Sequence, residues 1–170
     1  MLEFELINIS INMNLRVDKI RKPQGLITNA RMYSIILKDD LLYLIHTGLG
    51  VNIDLIVTCN PFSGPVTIAN LHLFSNRTIE KINEYEKKIS SIDLDVLVNE
   101  KKYSYCFHPA DISSFEFMEN GCVIKGTNIA PKMILKTNKG KFKLLSTGMT
   151  DIEAFKSLGL VLKKLYLVEK

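Results

Sequence analysis

The chain is 170 residues long, enough for one sizeable hydrophobic core without disulfides or a structural metal. Hydrophobic residues make up 46% and charged residues 24%, a balance that argues against disorder and against a long coiled coil. The net charge is +4, and residues from Lys101 onward hold twelve lysines against six acids, which permits an anionic partner without requiring one.

The cysteines and the N-terminus indicate a cytoplasmic protein. Cys59, Cys106 and Cys122 are widely spaced and form no CxxC pair, so a disulfide framework is not indicated. Acidic residues near the N-terminus stand where a signal peptide would carry positive charge. The longest apolar stretch, residues 41–59, contains polar side chains that are costly inside a bilayer. We therefore expect no transmembrane helix, while shallow insertion into a membrane surface stays open.

The first third of the chain predicts strands joined by polar turns. Apolar alternation over Leu2–Ile11 predicts an early strand with a bulge. The mixed residues Asn12–Leu26 predict a loop with a short extended piece. The clearest hairpin signal follows, because Ala30–Leu37 and Leu41–His46 are rich in β-branched and aromatic residues and flank a polar turn at residues 38–40.

The middle of the chain changes from strand to helix. Val51–Cys59 alternates over nine residues and predicts a strand, which the prolines and glycine of the loop at residues 60–65 must end. The return over residues 66–73 is predicted as a strand, although its spacing also fits a helix. Asn76–Ser91 has an apolar seam and predicts an amphipathic helix, followed by a short second helix that ends at Leu97.

The second half returns to strands. Tyr103–Phe107 is predicted to be extended, and Ile112–Met118 begins the next strand. Asn120-Gly121 is a strong signal for a two-residue hairpin turn, which would place Phe117 opposite Ile124.

The last two predicted elements are a hairpin and a helix. The hairpin pairs Pro131–Thr137 with Lys141–Ser146. Thr150 and Glu153 then match a capping box that opens a helix to Leu167. The apolar stripe of this helix consists of Phe155, Leu158, Val161, Leu162 and Leu165. A single helix after antiparallel strands is best buried as a plug on a curved sheet.

The order of these segments resembles the pleckstrin-homology-like (PH-like) superfold, in its bacterial PH or GRAM-type forms. The resemblance rests on ARMYSIILKDDLLYLIHTG, PADISSFEFMENGCVIKG, MILKTNKGKFKLLS and the C-terminal helix. It implies an α+β, mainly β fold, with a partly open antiparallel barrel of about seven strands capped by that helix. The expected organisation is a single PH-like domain over residues 1–170, with an insertion at approximately residues 48–101.

The resemblance also implies a non-enzymatic binding or scaffolding module for lipid headgroups, peptides or partner proteins. In such domains, phosphoinositide sites depend on basic residues of the first strand and loop. Arg16, Lys19, Arg21 and Lys22 lie roughly there, outside any matching motif.

Lysines of the last hairpin are the main candidate binding residues: Lys132, Lys136, Lys139, Lys141 and Lys143. Most of their ammonium groups should point outward together, and an anion would relieve the repulsion if Lys136 lies opposite Lys141. The alternatives are a solvated, aggregation-resistant sheet surface and an anionic membrane surface. Nucleic acid is not expected, because arginine is scarce and no exposed aromatic residues interleave with the lysines.

Other candidate residues have weaker signals. Phe62, between two prolines, either packs locally or anchors the chain to a membrane or partner. Cys106, His108 and Asp111 are close in sequence, but further zinc ligands and a third residue for a Cys-His nucleophile are missing. We therefore expect no catalytic residues, no metal and no cofactor, with a small enzyme using Cys106 or His108 as the alternative.

The expected function is recognition of a protein partner, of a second copy of the chain, or of an anionic membrane surface. The inserted helix either packs on its own barrel or mediates self-association or docking to another protein. The expected location is cytoplasmic, with attachment to the membrane periphery as the second interpretation.

Overall fold

The structure, a computed structural model, describes residues 14–23, 29–51, 65–124 and 128–167. The predicted strand Leu2–Ile11 and the predicted strand beyond Val51 lie outside these residues. The loop with Phe62 also lies outside them, so the role of Phe62 as an anchor stays a prediction.

Seven antiparallel strands form one sheet with the order β4-β3-β2-β1-β7-β6-β5. The strands are β1 (Leu15–Pro23), β2 (Asn29–Lys38), β3 (Leu41–Val51), β4 (Tyr105–Phe107), β5 (Ile112–Ile124), β6 (Asn128–Thr137) and β7 (Gly140–Leu145). The sheet is partly open, since β4 and β5 end it on either side. The predicted class, α+β and mainly β, is confirmed, and the architecture is compatible with a PH-like barrel.

Three α-helices and one short 3-10 helix accompany the sheet in the described residues. They are α1 (Pro65–Ile89), α2 (Leu94–Glu100), the 3-10 helix Pro109–Asp111 and α3 (Ile152–Leu167). Asp93 caps α2, because its carboxylate accepts from the amide of Asp95. Both α1 and α2 pack against β3, so the inserted segment covers the outer side of its own sheet.

Two hairpins form as the sequence predicts. Lys38 pairs with Leu41, and the intervening Asp39 and Asp40 have φ of 50° and 61°, the left-handed conformation that a tight two-residue turn requires. In the last hairpin Thr137 pairs with Gly140. Here local turn chemistry and strand patterning specify the same register.

The predicted turn at Asn120-Gly121 is wrong. β5 runs through these residues to Ile124, and a break in the register between Met118 and Cys122 accommodates them as a bulge. Phe117 therefore pairs with Met133 instead of Ile124. Long pairing with β6 replaces the short local hairpin.

Two other predictions are corrected. Residues 66–73 belong to α1, so the predicted returning strand is wrong and the helical alternative holds. Asn12–Leu26 is not mainly a loop, because Leu15–Pro23 forms β1. Its apolar alternation is broken by a register shift between Val17 and Ile20, which hides the strand pattern.

The main core lies between the inner face of the sheet and α3. Phe155, Leu158 and Leu162 of the helix are fully buried against residues of β1, β5 and β6. The predicted plug is confirmed, but the predicted cap is not. Asp151 accepts from the amide of Ala154 at 3.0 Å.

Thr150 does not cap the helix but forms hydrogen bonds with β1 and with Thr147. Its hydroxyl donates to the carbonyl of Lys19 at 2.8 Å and accepts from the amide of Thr147 at 2.7 Å. Thr150 therefore ties the start of α3 to β1, and the neighbouring aspartate takes over the capping role.

Replacing Gly159 with alanine should destabilise the fold. The added methyl group would lie 2.4 Å from the Phe117 ring, a steric conflict that outweighs the better helix propensity of alanine. We expect a loss of about 1–3 kcal/mol in the free energy of unfolding, measured by chemical denaturation. The double variant Gly159→Ala, Phe117→Leu should recover part of the loss, and a fully stable single variant would contradict this packing.

Candidate functional site

The structure places the lysines of the last hairpin mostly on the outer side of the sheet. Lys136, Lys139, Lys141 and Lys143 are exposed, whereas Lys132 is partly buried. Their neighbours Met133, Leu135, Phe142 and Leu144 face the core. Lys136 and Lys141 are register partners, so the expected like-charge pair is present. Binding of an anion to this face stays a prediction.

Cys106, His108 and Asp111 have different surroundings in the structure. Burial raises the pKa of the Cys106 thiol, so the thiol is a poor source of thiolate. His108 is exposed, and the Asp111 carboxylate accepts from its backbone amide at 3.0 Å. Within the described ranges, no three histidine, cysteine or acidic residues group in a way that could hold a metal ion.

A basic cluster lies at the end of β1 and the start of β2, and the sequence indicates only its Lys22, among the basic residues of the first strand and loop. Lys22 and Arg31 are register partners there. Each lies two positions from a core residue of its strand, Ile20 or Tyr33, and so points to the inner face. Two cations therefore meet where the sheet would otherwise bury apolar side chains.

Aromatic rings hold these cations in place. The Arg31 guanidinium lies 3.4 Å from the centre of the Tyr103 ring, and the Lys22 ammonium lies 4.2 Å from the centre of the Phe142 ring. Lys102 approaches the Tyr103 ring at 5.0 Å. Tyr103 itself has φ of 71°, an uncommon conformation for an aromatic residue that often accompanies functional sites. We call Lys22, Arg31, His46, Lys101, Lys102 and Tyr103 the cationic cluster.

His46 occupies the centre of the cationic cluster. Its ring contacts the rings of Tyr103 and Tyr33 at centroid distances of 5.8 Å and 5.7 Å. Burial lowers the pKa of His46, and the charges of Lys101 and Arg31 lower it further. Burial raises the pKa of Tyr33 to about 12, so its hydroxyl stays neutral.

The pKa of Lys22 is shifted by the same two causes. Burial and the charge of Arg31 lower its pKa. After burial, neighbouring cations are the next cause of the lowered pKa of both Lys22 and His46. The local potential is therefore positive, and an anion placed among these groups would be stabilised.

The last hairpin brings its turn to the same end of the sheet. β7 runs antiparallel to β1 with Leu145 beside Arg21, so the turn before Gly140 lies beyond the end of β1. Lys139 and Lys141 therefore lie at this end of the sheet on its outer side, whereas Lys22 and Arg31 point to the inner face. We call the cationic cluster together with Lys139 and Lys141 the basic rim. Asp111 also lies at this turn, where its carboxylate accepts from the side chain of Asn138 at 2.7 Å.

A second polar cluster joins β1 to α1 and lines a groove of about 560 Å³. Arg16 donates to the Asp18 carboxylate at 2.8 Å, to the Ser90 hydroxyl at 2.8 Å and to the Glu86 carbonyl at 2.7 Å. Lys19 forms an ion pair with the Glu86 carboxylate. Since the arginine is fully engaged, the arrangement acts as a staple between the inserted helix and the sheet.

Glu86 is the most buried charged residue of the staple, with 6% of its surface exposed. Burial raises the pKa of its carboxyl group, and the hydrogen bond from Lys19 offsets only part of that rise. One carboxylate oxygen, Oε1, is buried without a hydrogen-bond partner among the described residues. The ionised carboxylate is therefore poorly accommodated.

Comparisons with known proteins add no assignment. No protein-family model, no curated protein and no solved structure matches the chain. Among the described residues, no helix has both the length and the apolar character needed to cross a membrane.

The sequence offered little signal for the cationic cluster. The sequence predicts mainly loop around Lys22, so it does not indicate that this side chain points to the inner face. Arg31 was included in a strand, but its partner across the sheet depends on a register that the bulge after Val17 changes. If the strand β1 and its bulge were known, the alternation of side chains would place Lys22 and Arg31 on the inner face.

Stability should depend on pH through Glu86. A carboxyl group whose pKa is higher in the folded protein than its ordinary 4.5 stabilises the fold when protonated. This contribution is fully present below the unfolded pKa and is lost as pH rises through the folded pKa. We therefore compare the free energy of unfolding of the wild type with that of Glu86→Gln. The wild-type value minus the variant value should fall as pH rises through this range, by about 1.4 kcal/mol for each unit by which folding raises the pKa.

Glu84→Gln, at an exposed position of the same helix, is the matched control for losing one negative charge. Chemical denaturation across the pH range measures all three proteins. A difference that rises with pH for Glu86→Gln would contradict the raised pKa.

Proposed function

We propose that the protein is a non-enzymatic PH-like module that binds an anionic membrane surface through its basic rim. The observation that carries the proposal is the pairing of Lys22 with Arg31 at the end of the sheet that also holds the β6–β7 turn and its lysines. These cations come from separate strands and lie toward one end of the sheet. A surface of phosphate and carboxylate headgroups offers the extended negative charge that such a rim would complement.

The architecture supports the PH-like part of the proposal. The seven antiparallel strands, the partly open sheet and the helix packed over its inner face fit the architecture that the resemblance implies. The resemblance adds an expectation about function, whereas the site itself is argued from the charges.

The packed interior supports recognition at the rim. Leu42, Leu44, Met133, Leu135 and Leu144 are completely buried on the inner face. Close packing of these described residues favours binding at the ends and outer faces of the sheet.

Vesicle binding tests the proposal. Glutamine at Lys22, Lys139 and Lys141 removes three positive charges from the rim. We expect weaker binding to vesicles of equal parts phosphatidylcholine and phosphatidylserine, measured by co-sedimentation at low salt. Each lysine near an anionic surface contributes about 1 kcal/mol, so the triple variant should bind roughly a hundredfold less tightly.

The control removes the same number of charges elsewhere. Lys88, Lys163 and Lys164 are exposed on α1 and α3, and their triple glutamine variant should bind vesicles nearly as well as the wild type. Equal losses in both variants would indicate a general charge effect and contradict a rim site. No wild-type binding, together with a dimeric mass in solution, would favour self-association instead.

A further inference from the structure

The basic rim contains one group whose charge can change near neutral pH. His46 lies inside the cationic cluster, and an unperturbed histidine titrates close to pH 6.5. An anion bound at this end of the sheet would therefore act on the protonation of His46. This coupling would be a property of the proposed anion site and rests on that function.

The groups that face His46 are identified on each neighbouring segment. Arg31 and Tyr33 approach from β2, while Lys101 and Tyr103 approach from the segment before β4. The backbone carbonyls of Gly48 and Lys102 accept from the ring and favour its protonation, but less than burial and the cations oppose it. The charged groups in this set are cations, so they oppose protonation of the ring in the free protein.

Arg31 connects the histidine to the proposed anion site. It pairs with Lys22 across the strands and lies against the Tyr103 ring that His46 also contacts. A phosphate or carboxylate held by Lys22 and Arg31 would offset the positive potential at the imidazole. Arg31 and His46 contact the same Tyr103 ring in a partly buried region, where salt screens charges less than in open solvent.

We infer that His46 makes anion binding proton-linked, so that the module holds a negatively charged membrane more tightly as the pH falls. The anion favours the imidazolium, and the imidazolium in turn favours the anion, because coupling between two binding events is reciprocal. The affinity should rise about tenfold for each unit by which the bound anion raises the pKa of His46.

The experiment compares vesicle affinity from about pH 7.5 to about pH 5.5, a range that spans histidine titration. The probe is again vesicles of equal parts phosphatidylcholine and phosphatidylserine, and the proteins are the wild type, His46→Gln and His108→Gln. We expect the wild type and His108→Gln to share a steep pH dependence. His46→Gln should gain less affinity on acidification than either of them.

The outcomes separate the two proposals. Binding with the same pH slope in all three proteins overturns the role of His46 and leaves the anionic surface site in place. No binding at any pH overturns the surface site and the linkage together. If His46→Gln does not fold, His46→Asn replaces it, because asparagine is also uncharged across this pH range.

A measurement without membranes checks the same geometry. In the free wild-type protein, the NMR titration midpoint of the His46 ring should lie below 6.5. A midpoint at or above this value would overturn the inference, since the neighbouring cations would then not oppose protonation.

Discussion

The junction between β1 and β7 is the constraint on which the rest of the structure depends. β1 joins the two halves of the sheet, and Arg21 with Leu145 is the one register pair between these strands in the described residues. The junction continues through Lys19, whose carbonyl accepts from the hydroxyls of Thr147 and Thr150. Without it, the sheet would separate into two antiparallel pieces, and α3 would have no common inner face to cover.

The same stretch of β1 positions both polar clusters. Its irregular register after Val17 turns Lys19 to the outer side, toward Glu86 of the inserted helix, while Lys22 returns to the inner side beside Arg31. Lys19 has φ of 60°, so the bulge involves a backbone conformation that ordinary residues adopt at a cost. One local irregularity thus determines where the staple and the cationic cluster lie.

The sequence predicted those parts of the fold in which local and long-range preferences agree. The turns at Asp39-Asp40 and before Gly140, and the apolar stripe of α3, needed no knowledge of distant partners. The predicted turn at Asn120-Gly121 was wrong because the turn preference of these two residues is local, whereas β5 gains a longer pairing with β6. The basic rim was only half predicted: its lysines at the last turn are visible in sequence, but their proximity to Lys22 and Arg31 follows from sheet closure.

Helices α1 and α2 pack on the outer side of the sheet and belong to the same folding unit. Ile36, Tyr43 and Ile45 on the outer side of the sheet form a second apolar cluster with Ile89 and Leu97 of the inserted helices. Without these helices, the residues would form a solvent-exposed apolar patch that is prone to nonspecific association. The two helices therefore form part of the same packed unit as the sheet, and deleting them would expose apolar side chains of β2 and β3 to solvent.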